Sequence, residues 1–122
     1  MEVVVPQLAW FGDRELKLNF PEEWDVSIQF MKGHGKRSVN EEEIVHALSN
    51  PIGTKPLSKL ARGKKEVVII FDDMTRPTKV YEVVPHVINE LREAGIKDDN
   101  IRFVCANGSH GVFDREDFVK KL

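Results

Sequence analysis

The feature that most constrains the fold is an unbroken apolar run, Val67-Val68-Ile69-Ile70-Phe71, which follows Glu66 and is rich in β-branched residues. A strand with one wet face alternates apolar and polar residues; a continuous run describes a strand covered on both faces, as in parallel sheets. From Thr78 to Ala94 the apolar set Val80, Val83, Val84, Val87, Ile88 and Leu91 recurs at helical spacing, and Gly95 stands where a helix ends in left-handed backbone. Pro85 lies within this stretch and predicts a kink or a loosened first turn. After the turn Lys97-Asp98-Asp99-Asn100 comes a second apolar strand, Ile101-Arg102-Phe103-Val104-Cys105-Ala106. Strand, helix and strand in that order predict a right-handed βαβ unit with parallel strands, a Rossmann-like α/β fold. Asp114-Arg115-Glu116-Asp117 reads as the capped start of a further helix.

Ahead of this unit, Glu15 to Phe20 and Trp24 to Phe30 alternate polar and apolar side chains, so residues 1–31 are expected to form a β section. Trp10 and Trp24 are expected as core anchors. Lys32-Gly33-His34-Gly35-Lys36-Arg37 neither alternates nor packs and predicts a surface loop. Residues 38–62 read as helical. Asn40 caps a helix with Glu41, Glu42 and Glu43 in its first turn, Asn50-Pro51 stops it, and a short helix follows from Pro56 to Arg62. With 66–122 as the βαβ unit and the start of another helix, the 122 residues fit one domain or part of one.

Charged residues make up 31% of the chain with a net charge of -2, so no basic surplus points to nucleic acid. The longest strongly apolar run is far shorter than the roughly 18 residues of a membrane helix, and the amino terminus lacks the pattern of a secretory leader. These readings predict a cytoplasmic protein without a membrane partner. Cys105 has no second cysteine to pair with and reads as an inert core thiol.

In an open parallel sheet, ligands bind where loops leave the carboxyl ends of the strands. Two turns stand at such ends: Asp73-Met74-Thr75-Arg76-Pro77 and Asn107-Gly108-Ser109-His110-Gly111. If their strands are neighbours or one strand apart, the turns are about 5 to 10 Å from each other and can reach one ligand. Arg76 carries a permanently charged fork suited to a carboxylate or phosphate. His110 can exchange a proton near neutral pH, and Gly108 and Gly111 give its backbone freedom. Asp73 is placed to hold the imidazole in one tautomer and favour its charged form. Together they suit proton abstraction from a small hydroxy acid. The competing reading is a pair of ordinary turns, with Thr75 or Thr78 capping and His110 merely exposed. His34, His46 and His86 read as surface or helix residues, and no histidines or carboxylates have metal-ligand spacing.

The same residues resemble the amino-terminal region of the nickel-dependent lactate racemase family, whose members carry an Asp-x-Thr-Arg-Pro turn and, one βα step later, a Gly-Ser/Thr-His turn. Here these are Asp73 to Pro77 and Gly108-Ser109-His110, and the likeness extends to Trp10-Phe11-Gly12, Leu16-Lys17-Leu18 and Asn50-Pro51-Ile52-Gly53-Thr54. The resemblance implies a 1–122 amino-terminal racemase-like domain. In it His110 is one of two acid/base catalysts, Asp73 supports the catalytic site, and Arg76 holds the carboxylate of a small 2-hydroxy acid, with Thr75, Gly108 and Ser109 also on the substrate side. It implies a nickel pincer nucleotide in the parent protein, tethered and ligated by a lysine and a histidine further along than Leu122, so that the chain alone is expected to be inactive. Gly111 stands where the family usually has arginine, which points to another 2-hydroxy acid as substrate. The alternative expectation is a noncatalytic module that binds a small anion through Arg76 and helix amino termini.

Overall fold

A computed structural model describes residues 1–122, which divide into two compact units, Met1–Ser38 and Val39–Leu122. In the first unit, β1 (Glu2–Pro6) and β2 (Glu15–Asn19) form an antiparallel pair, in register from Glu2 opposite Asn19 to Pro6 opposite Glu15. Main-chain bonds close the ladder at both ends, from Gln7 N to Arg14 O at 3.1 Å and from Phe20 N to Met1 O at 3.0 Å. Asp13 ties the connection by accepting from Ala9 N at 2.9 Å.

The expected strand over Trp24 to Phe30 does not form. Its alternating pattern has no neighbouring strand to pair with, and alternation without a ladder leaves the backbone groups to water. Trp24 is correspondingly 59% exposed and lies against Phe20 with ring centroids 6.2 Å apart, so it is not a core anchor. Trp10 is half-buried beside Phe11.

The second unit follows the sequence pattern closely. Asn40 caps α1 (Glu41–Ser49) with a reciprocal pair of bonds, Glu43 N to its Oδ1 and its own N to Glu43 Oε2, each 2.9 Å. The short α2 (Leu57–Leu60) has no side-chain cap of its own, and Glu90 of the following long helix accepts from Ser58 N at 3.1 Å instead. β3 (Val67–Asp72) and β4 (Ile101–Ala106) pair in parallel, Val67 with Ile101 through to Asp72 with Ala106. Between them α3 (Val80–Glu93) runs through Pro85 without a break. Gly95 at φ +90° ends the helix, and a 3₁₀ turn at Asp98–Asn100 is held by a two-point grip of Arg92 on Asp98, at 2.9 and 2.7 Å. α4 (Arg115–Lys121) starts at Asp114, which caps through Glu116 N and Asp117 N.

The core of this unit lies on one face of the sheet, where Leu91 is fully buried with Ala61 and Ile96, and Leu57, Val67, Ile69, Val87 and Ile101 pack around them. The opposite face differs from the expectation of two covered faces. Val68 and Val104 are about half exposed and Ile70 is 71% exposed. No helix is long and apolar enough to cross a membrane.

Candidate active site

The register of the parallel pair sets the site. Asp72 and Ala106 are the last paired residues, so the loops carrying Asp73 and Asn107 leave the same rim side by side. Asp73 O accepts from Arg76 N at 3.2 Å and Asn107 O from His110 N at 3.1 Å, closing a tight turn at each strand end. Gly108 sits at φ +57°, a left-handed conformation that glycine adopts without steric cost. Gly111, by contrast, stays outside the left-handed region, and its carbonyl accepts from Asn107 Nδ2 at 2.7 Å.

Through these turns Asp73 and His110 meet. Asp73 is 2% exposed and both of its oxygens are engaged. Oδ1 accepts from Thr75 N at 2.8 Å and Thr75 Oγ1 at 2.6 Å, while Oδ2 lies 2.5 Å from His110 Nδ1. Thr75 Oγ1 is also 3.4 Å from the same ring nitrogen. The Thr75 hydroxyl is the largest influence on the Asp73 carboxyl, which is lowered from 3.8 to about 2; burial pushes the other way and is outweighed, with the His110 contact and the Thr75 amide adding to the lowering. Asp73 is therefore a fixed anion at neutral pH, and an anion facing Nδ1 requires that nitrogen to carry the proton. In the neutral ring the lone pair is then on Nε2, on a side chain that is 37% exposed, the tautomer a general base needs.

Arg76 leaves the same turn, exposed, and its guanidinium makes no hydrogen bond or ion pair within the chain. The imidazole and the guanidinium thus rise from one rim of the sheet, and Arg76 touches neither Asp73 nor His110 through its side chain. Ser109 is exposed and unbonded, and Thr75 commits its hydroxyl to Asp73. Cys105, on β4 beneath the site, has its thiol pushed up by burial and then by the charges of Asp73 and Asp72, in keeping with an inert thiol. No three histidine, cysteine, aspartate or glutamate side chains come together to hold a metal ion, so the residues present do not by themselves make a nickel site.

Sequence reasoning missed one residue of this neighbourhood. Lys121, the last residue of α4, is fully buried and donates to Arg76 O at 2.9 Å and Thr78 O at 2.7 Å. A Lys-Lys pair at a helix end reads as ordinary solvated charge, and nothing in the sequence separates Lys121 from Lys120.

Fold and site together place the chain among α/β domains that present an oriented imidazole at the carboxyl rim of a parallel sheet. Residues 11–122 match the lactate racemase N-terminal domain, and the chain belongs to that family. It is 40% identical over 102 residues to a lactate racemase of Thermoanaerobacterium thermosaccharolyticum, covering 82% of this chain and 24% of that protein. It is 39% identical over 88 residues to a lactate racemase of Lactiplantibacillus plantarum, covering 72% of this chain and 20% of that protein. The chain thus spans about a quarter or less of the length of these relatives.

Proposed function

We propose that this chain is the substrate-binding and partly catalytic segment of an enzyme that interconverts the stereoisomers of lactate or another small 2-hydroxy acid. The observation that carries this reading is the 2.5 Å contact between Asp73 Oδ2 and His110 Nδ1 in a lactate racemase N-terminal domain. His110 Nε2 takes the proton of the substrate hydroxyl as the α-carbon is oxidised and gives it back on return. Asp73 keeps the ring in the tautomer that allows this, as the aspartate of a catalytic triad does. Arg76 grips the substrate carboxylate from the same rim, so that the hydroxyl is offered to the imidazole. The remaining chemistry, acceptance and return of a hydride, is what a nickel pincer nucleotide would supply. No cluster of this chain's side chains would hold its metal, and on this reading the 122 residues by themselves do not turn over substrate.

A noncatalytic anion-binding module explains the exposed Arg76 equally well. It gives no task to a buried carboxylate held ionised against the imidazole, which a general base needs to fix its tautomer. The full-length enzyme, given lactate labelled with deuterium at the α-carbon, is expected to form the opposite stereoisomer with the label retained, and to lose this turnover in the His110→Ala variant. Racemisation with wash-out of the label would replace hydride transfer by α-proton abstraction. Undiminished turnover in His110→Ala would remove the histidine from the mechanism.

A further inference from the structure

Lys121 is the one fully buried charged side chain of the molecule outside the Asp73–His110 pair. A lysine in that position needs an acceptor for each of its three donors. Two are the carbonyls of Arg76 and Thr78, at 2.9 and 2.7 Å, which lie on either side of Pro77 and both turn toward the ammonium. On a third side Asp72 Oδ1 lies 3.4 Å away, an ion pair without hydrogen-bond geometry. The helix that delivers the lysine is itself fixed at its start and its middle: Asp114 caps the first turn, and Phe118 meets Phe71 edge to face at 5.5 Å, on the strand leading into Asp73. Pro77 has no N–H to donate, and the ammonium gathers the two carbonyls that flank it.

We propose that Lys121 is a positioning residue for Arg76, its buried ammonium curling the Arg76-Pro77-Thr78 backbone into the conformation from which the guanidinium meets the substrate carboxylate. The proposal rests on the carboxylate-binding role given to Arg76 above. Helix α4 thereby acquires a function, because the segment that leaves the His110 turn folds back to brace the Arg76 turn and couples the two strand-end loops.

The test uses the 122-residue chain with Lys121→Met, which keeps the length and apolar stem, and Lys121→Gln, which keeps two donors. Hydrogen exchange is followed residue by residue and lactate binding by NMR titration. In Lys121→Met the Arg76 amide, bonded to Asp73 O, is expected to exchange at least tenfold faster while amides of β3, β4 and the Leu91 turn of α3 change less than twofold, and lactate binding weakens about tenfold. Lys121→Gln falls between the two. Uniform acceleration across the sheet and α3 would overturn the proposal in favour of general stabilisation, and so would failure of both variants to fold. An unchanged Arg76 amide would overturn it outright. If the unmodified chain and both variants all fail to bind lactate, the carboxylate-binding role of Arg76 falls, while the exchange rates still decide whether Lys121 braces the turn.

Discussion

Replacing Asp73 by asparagine changes almost nothing in shape and inverts the protonation pattern of the site. Thr75 presents two donors, its amide at 2.8 Å and its hydroxyl at 2.6 Å, to the same oxygen of residue 73. An asparagine amide must turn its oxygen to those donors, because turning its NH2 group there would set donor against donor. The NH2 group then faces His110 Nδ1 at the 2.5 Å position and makes that nitrogen an acceptor. The ring proton moves to Nε2, and the lone pair that would take the substrate proton is gone. In a serine protease triad the same substitution leaves the geometry intact and lowers kcat by about 10⁴-fold, and a loss of about 10³ to 10⁴-fold is expected in the full-length enzyme. The tautomer itself is read from the nitrogen chemical shifts of His110 above the pH at which the ring is neutral. Native protein should show the Nδ1–H form and Asp73→Asn the Nε2–H form. Retention of the Nδ1–H form in the variant, or turnover within tenfold of native, would refute the role of Asp73.

Three further outcomes follow from single contacts. Thr75→Val removes the largest contribution to the low Asp73 pKa, so the carboxyl should rise from about 2 toward 3.8 in a carbon-detected titration. Since the folded-state value lies below the ordinary one, the stability tied to this ionisation is complete above about pH 3.8 and lost as pH falls toward 2. The variant should show a smaller loss over that window, and an identical acid limb would contradict the assignment. Leu91→Ala, at the centre of the core, should cost ~2–5 kcal/mol in urea unfolding, and a loss under about 1 kcal/mol would mean that the core lies elsewhere. Gly108→Ala meets no atom within 4 Å, so only its positive φ resists the change; the expected cost is ~1 kcal/mol by the same assay, and a stabilised variant would contradict the turn geometry.

The site was more legible in the sequence than the surfaces around it. An apolar strand run and a helical repeat fix where strands end, and strand ends fix which loops share a rim, so Asp73 and His110 could be paired before any coordinates. The role of Thr75 was not legible, because a hydroxyl two residues after a carboxylate can cap a helix, meet a ligand or bond back, and only geometry selects among these. Lys121 was invisible because burial of a lysine depends on carbonyls 43 and 45 residues away in the chain. The Trp24 to Phe30 segment misled for the converse reason. Alternation states that a segment can be a strand, and pairing partners decide whether it becomes one. The continuous run in β3 describes two apolar faces, of which the Val39–Leu122 unit builds its core on one.

The most direct test is whether one small carboxylate engages both loops. The isolated chain is titrated with lactate while the side-chain nitrogen resonances of Arg76 and His110 are followed together, with lactamide as the uncharged control. Saturable shifts at both residues with a single dissociation constant are predicted, and none with lactamide. Shifts at only one residue, or at two unrelated concentrations, would contradict a shared carboxylate site.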